Sequence, residues 1–416
     1  MSKFSSRSIF AALASLALAG SAFGDDLLFT RSRQADPFAA QRASDQSYQA
    51  LVNDKATASF ELVDVNGAAL AVDATSLSLD LGLGIELRAY RTDAKVTDDK
   101  MVVWTGVIQD IGMTGTPFLA ETLDFDPMNT VTIVKNGKLL TGNINFAGEQ
   151  YQLRPLRSGG HALVRVDASK MPADHPAEYA RLPIRPMPAD VENQTRAIST
   201  IRVMVHYTPS AASASGDING LITLAVAESN TGYTNSGVEI SLVLATKASV
   251  SYTESGSFST DLSRYRGTTD GYMDSVHTTR NSVTADVGVL IINNSSSCGL
   301  ASGIGSTAST AFAAVHWSCA TGYYSFAHEI GHLLSARHDP AADPTTTPYA
   351  YGHGYQKTTS PKWRTIMAYD CTGGCTRLNY WSNPNKLYGG AAMGTTATHH
   401  NQRVLQNTKA TVAAFR

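Results

Sequence analysis

The stretch FAHEIGHLLSARHD, Phe326 to Asp339, carries three histidines and a glutamate within eleven residues. In a helix, residues four apart share a face, so His328 and His332 present two imidazoles to one metal ion. Glu329 follows the first of them. Its carboxylate falls beside the metal rather than on it, where a general base takes a proton from water. Neutral imidazoles leave a zinc ion most of its positive charge, and that charge is what acidifies the water. His338 is the third candidate ligand. On an unbroken helix it lies about 280° around from His328 and roughly 9 Å beyond His332 along the axis. The helix must therefore end near Leu334 and the chain must turn back. Glycine is the easy residue for such a turn, yet Ser335 stands there. A left-handed serine costs on the order of 1–2 kcal/mol, so either the metal site holds a strained residue or the turn has another geometry. No glutamate follows Glu329. That excludes a downstream glutamate as third ligand and leaves Asp343 and Asp370 as weaker rivals to His338.

These residues need a rigid frame, and the pattern before them supplies one. IRVMVHYT reads as a strand, and the segment from Asp217 has the apolar spacing of a helix. EISLVLATKASVSY is a second strand, GYMDSVHTTRNSV a helix, ADVGVLIIN a buried strand and TAFAAVHWS a shorter one. Strands alternating with helices argue for a mixed α/β sheet covered by helices, with the histidine helix following the last strand.

The first half has a different character. Residues 25 to about 168 read as strands, with tight turns at Asn136-Gly137, Ala147-Gly148 and Ser158-Gly159-Gly160. MPADHPAEYARLPIRPMPADVENQTRA then holds five prolines and little apolar periodicity, and reads as a linker. Residues 25–196 carry 17 Lys+Arg and 23 Asp+Glu, a net of −6; residues 197–416 carry 14 and 12, a net of +2. An acidic half can lie over a slightly basic one.

Lys3 and Arg7, an apolar run and the small residues Ala22 and Gly24 read as a signal peptide over residues 1–24. The protein is expected to be secreted. Cys298, Cys319, Cys371 and Cys375 fit that expectation as two disulfides. Three connectivities are open, and the local pairs 298–319 and 371–375 are favoured over a cysteine zinc site. The overall net charge of −2 points away from nucleic acid. Beyond the N-terminus no apolar run is long enough for a transmembrane helix.

With its histidines and TIMAYD downstream, the chain resembles the metzincin metallopeptidases. The resemblance implies that Met367, 29 residues after His338, floors the metal site without ligating it. It also implies that Tyr369 approaches the zinc and stabilises the reacting centre. Asp339 looks like a structural aspartate of the reprolysin branch. Serine at position 335, with IMAYDC and YWSNP, is most similar to the peptidyl-Asp metallopeptidases, which cut on the amino side of aspartate. In such enzymes an extended peptide lies along an edge strand, for which TAFAAVHWS is the candidate. A pocket for aspartate wants a cation, ideally arginine. Arg377, Arg364 and Lys386 flank or follow the methionine turn, Arg377 first among them, whereas His353 reads as structural.

The resulting expectation is a precursor with a signal peptide at 1–24, a β-rich propeptide at 25–196 ending in a Pro-rich linker, and a catalytic domain at 197–416. It would be a zinc endopeptidase acting on protein or peptide substrates and inhibited by its own propeptide. The propeptide has no cysteine to block the zinc. Two other readings are an endopeptidase of broad specificity and a non-catalytic secreted zinc-binding protein. An intact Glu329 argues against the last.

Overall fold

A computed structural model describes residues 27–32, 36–82, 86–109, 125–188 and 197–416. The expected signal peptide and the last stretch of the expected linker lie outside them.

The N-terminal half is built on one nine-stranded sheet. Its strands are β1 (Phe29–Arg31), β2 (Thr57–Val65), β3 (Ser76–Asp80), β4 (Glu86–Val96), β5 (Val102–Gln109), β6 (Thr130–Asn136), β7 (Leu139–Phe146), β8 (Glu149–Pro155) and β9 (His161–Val166). They lie in the order β1-β2-β9-β8-β7-β6-β5-β4-β3, all antiparallel. The three expected turns join β6 to β7, β7 to β8 and β8 to β9. At the first, Gly137 takes φ +60°, a conformation glycine adopts without a Cβ clash. Two short helices, α1 (Ala39–Arg42) and α2 (Gln46–Val52), precede β2.

The second half alternates strand and helix: β10 (Ser199–Tyr207), α3 (Pro209–Ser215), α4 (Ile218–Ser236), β11 (Ile240–Ser249), α5 (Phe258–Arg266), α6 (Ser275–Ser282) and β12 (Val287–Ile292). Then come β13 (Gly299–Ala301), β14 (Phe312–His316) and α7 (Ser325–Leu333). The sheet order is β11-β10-β12-β14-β13, parallel except for the last pair. β12 is buried along its whole length, as an interior parallel strand must be. TAFAAVHWS supplies β14, which is not an edge: its neighbours are β12 and β13. The edge on that side belongs to β13, buried under the proline-rich stretch, and its three residues carry too short a pattern to stand out. The chain ends in small pieces, β15 (Gln356–Lys357), β16 (Trp363–Arg364), β17 (Thr376–Arg377), β18 (Asn383–Tyr388), β19 (Ala391–Met393) and the helix α8 (Asn401–Val412).

The two halves share a core. α4 starts at Asp217, whose carboxylate accepts from Gly220 N–H, and stops at Gly237 in the left-handed region. Between these caps it packs on β11 with one face and on the N-terminal sheet with another, where Leu224 and Ala227 meet Met101, Val103 and Val134. A larger cluster joins Leu156, Ala162 and Val164 of the first half to Ile201, Val203 and Ile222 of the second. Burying apolar surface stabilises by about 25 cal/mol per Å², so the halves are held as one body.

The proline-rich stretch is not a free linker. Residues 168–170 and 177–181 form single 3-10 turns, and Ile184 bridges in parallel to Ile304. Its described part lies across the face that carries α7.

Candidate active site

α7 presents His328 and His332 from one face, while Phe326, Ile330 and Leu333 pack into the core from the other. It ends as a Schellman motif: Ala336 N–H donates to Gly331 O and Ser335 N–H to His332 O, both at 2.9 Å. Ser335 occupies the left-handed position of that motif with φ +76°, so the expected turn is made with the strained serine. The reversal returns His338 to the same point. The Nε2 atoms of His328, His332 and His338 lie 3.0–3.1 Å from one another, all fully buried or nearly so.

These contacts require a cation. His328 Nδ1 faces Ile366 O at 2.9 Å and His332 Nδ1 faces Ala336 O at 2.8 Å. A carbonyl accepts only from N–H, so both rings carry their proton on Nδ1 and turn an Nε2 lone pair inward. Two converging lone pairs repel unless a positive ion lies between them. Burial holds the imidazoles neutral: His332 is pushed down to about 3, and His328 and His338 well below their ordinary range. Neutral buried imidazoles suit one zinc ion. His353 Nδ1 fixes the loop by meeting His338 O at 2.7 Å.

Glu329 is 1% exposed, and burial pushes its carboxyl up to about 8. Its Oε1 approaches His175 Nε2 at 3.0 Å. Burial holds His175 down to about 3, so this contact is not an ion pair, and neither atom has a hydrogen-bond partner. Tyr369 lies on the other side of His175, with its hydroxyl 3.0 Å from Nδ1. Its ring centroid is 4.3 Å from that of His338, and its N–H donates to Asp339. Met367 is fully buried beneath α7, its Sδ close against the face opened by Gly331.

His175 is the residue missed in the sequence. One of its ring nitrogens joins those of His328, His332 and His338 in a buried group spanning at most 4.8 Å. The only local signal was a histidine beside an aspartate in the proline-rich stretch.

Arg377 and Arg364 converge beside this group. Arg377 donates from Nη1 to Tyr323 O and from Nη2 to Ala368 O. Arg364 donates to Ala368 O and to the Tyr323 hydroxyl. Both face Asp174, whose two carboxylate oxygens are 2.9 and 2.8 Å from Arg377 Nη2. Lys386 is not with them: it lies on β18 near Gly237, at the far end of α4. Both disulfides form, Cys298–Cys319 and Cys371–Cys375. The first ties the edge strand to the segment leading into α7. The second closes the loop after Tyr369.

Residues 197–382 match the Reprolysin_5 family, described as metallo-peptidase family M12. The full chain is 50% identical over 414 residues to a peptidyl-Asp metalloendopeptidase of Xanthomonas campestris pv. campestris, covering 97% of each protein. It is 52% identical over 385 residues to one of Stenotrophomonas maltophilia, covering 91% of each. A protein of the same name from Pseudomonas fragi is 52% identical over 189 residues, which is 45% of this chain and all of that protein. With half of its residues shared over almost its whole length, the chain belongs to the peptidyl-Asp metalloendopeptidases, zinc-dependent hydrolases that cleave peptide bonds at aspartate.

Proposed function

We propose that this endopeptidase is exported by residues 1–24, covered at its site by residues 25–196 until they are removed, and cuts on the amino side of aspartate with residues 197–416. Both disulfides suit an oxidising compartment. No helix among the described residues is long and apolar enough to cross a membrane. The N-terminal half contributes to a shared core and sends Asp174 and His175 into the site, which fits a covering role.

His328, His332 and His338 are the zinc ligands in this reading. Bound zinc supplies a Lewis acid that polarises the scissile carbonyl and acidifies a water molecule. Glu329 then takes the water's proton and delivers it to the leaving amine. Its place on α7, one residue after the first ligand, keeps the carboxylate beside that water for both transfers. Tyr369 directs its hydroxyl at the reacting centre once His175 leaves, and a phenol, protonated at neutral pH, serves there as a donor. Met367 packs under the ligands. Arg377 and Arg364 form the pocket for the substrate aspartate.

The observation that carries this reading is the buried Glu329 carboxylate set beside three convergent imidazoles. A purely structural zinc site needs no such base. The test is Glu329→Gln in the activated enzyme. Hydrolysis should fall by about 10²–10⁴-fold with zinc content unchanged. An unchanged rate overturns the mechanism. Mass spectrometry of new termini in an unfolded substrate should show aspartate first in each new chain.

A further inference from the structure

The arginine pocket already holds an aspartate, and the metal group already holds an extra imidazole, on adjacent residues. We propose that Asp174-His175 is a built-in decoy of the substrate: Asp174 fills the aspartate pocket, His175 takes the metal's remaining position, and the segment lies in reversed polarity so that it binds without being cut. The proposal rests on the reading of the site as one that cleaves before aspartate.

The pocket is built independently of its occupant. Arg377 and Arg364 are anchored to Tyr323 and to Ala368 O, and both are buried. The Tyr323 ring lies 4.2 Å from the Arg377 guanidinium carbon. Asp370 approaches Arg364 at 3.8 Å but is partly exposed. Two buried guanidinium groups therefore need a further buried carboxylate, and Asp174 supplies it. Burial opposes charge on Asp174, yet Arg377 and Arg364 hold its carboxyl below the ordinary range.

Polarity follows from the backbone. Cys298 N–H donates to Ala173 O at 2.8 Å, and Gly299 N–H to Asp174 O at 3.0 Å. Further on, Ile304 N–H donates to Pro183 O, beside the parallel bridge of Ile184 with Ile304. Residue numbers rise together, so the segment runs parallel to the edge strand. In a substrate cut before aspartate, the residue at the metal precedes the aspartate. Here the residue at the metal, His175, follows it. The bond offered is Asp174–His175, on the wrong side of aspartate, and its carbonyl is engaged by Gly299. Tyr179 closes the site from beyond, stacking on His338 at 4.2 Å and donating to Asp343 at 2.9 Å.

The test uses the full chain with Glu329→Gln, so that nothing is cleaved, and a fluorescent peptide containing one aspartate. The parent should exclude the peptide. Asp174→Asn and His175→Ala together should admit it with affinity raised at least about tenfold. A matched asparagine peptide should gain nothing, and Arg377→Met should abolish the gain. Cobalt loaded in place of zinc should change its visible spectrum when His175→Ala is introduced alone, because one nitrogen donor is lost. Thermal melting confirms that each variant is folded, and Asp174→Asn preserves the side-chain volume. An unchanged affinity in the folded double variant, or an equal gain for the asparagine peptide, overturns the decoy. Wild-type hydrolysis is a separate readout: a decoy that fails beside normal hydrolysis leaves the proposed function standing, and a binding gain without any hydrolysis does the reverse.

Discussion

Replacing Ser335 by glycine and, separately, by alanine isolates the strain at the end of the metal-binding helix. Ser335 is 1% exposed and takes φ +76°. That conformation is what brings His338 back to His328 and His332, so the backbone cannot relax without breaking the cluster. Gly305 packs opposite, and a Cβ placed there would come within 2.7 Å of Ser335 Oγ, so the serine has no room to swing aside. Both substitutions delete the hydroxyl, and its contribution cancels in the difference between them. What remains is the backbone. A left-handed residue bearing a Cβ costs roughly 1–2 kcal/mol. Glycine gives back about 0.4–1 kcal/mol through the freedom of its unfolded chain. Ser335→Gly should therefore be more stable than Ser335→Ala by about 1 kcal/mol. Because the two halves share one core, the melting unit is roughly 390 residues, and about 2.1 cal/mol/K of unfolding entropy per residue converts this to a rise in the melting midpoint of about 1 °C. The assay is scanning calorimetry of zinc-loaded full chain carrying Glu329→Gln, at one scan rate and with zinc content measured. An alanine variant that melts at or above the glycine variant would refute the strain argument.

Arg377→Met in the activated enzyme should cut kcat/KM for an aspartate peptide by about 30-fold or more, the equivalent of a truncated buried charge pair at about 2–5 kcal/mol. The ratio of aspartate to alanine cleavage should collapse with it, and an undiminished ratio would remove Arg377 from the pocket. Glu228 gives a pH prediction where α4 meets the N-terminal sheet. Its carboxylate accepts from Asn143 at 2.6 Å and from Gly322 N–H at 2.8 Å, and burial pushes it up to about 7. A carboxyl raised on folding favours the folded chain fully below its unfolded value of about 4.5 and loses that contribution as pH climbs through about 7. The loss is about 3 kcal/mol across that window. The melting midpoint of Glu228→Gln should pull ahead of the wild type as pH rises from 4 to 8, and a pH-independent gap would contradict the assignment.

How much of this was legible in the sequence depended on the range of the forces involved. The pair His328 and His332 is fixed by helix geometry, and a spacing of four residues displays it directly. The return of His338 was legible as a necessity, because a straight helix would carry it away from the ion. Whether serine would bear the left-handed turn was not legible. That depends on a Schellman motif and on Gly305 across the turn, both set by tertiary packing. The strands β10 and β12 declared themselves by runs of buried apolar residues, and β11 by an apolar run of which Ile240 and Leu242 are buried. β13 did not, since three residues carry no period. The position of β14 inside the sheet is likewise a matter of topology. Among the three cations, Arg377 and Arg364 have backbone carbonyls to anchor them whereas Lys386 sits on a remote hairpin, and sequence distance from the methionine turn could not separate them. His175 shows the limit most sharply. Prolines and weak periodicity make its segment read as a linker, and that reading is correct about local preference. Its role arises only when the shared core presses the segment against β13 and α7. A chain with little structure of its own is suited to that role, because its unpaired backbone groups are free to take the hydrogen bonds that the edge strand offers.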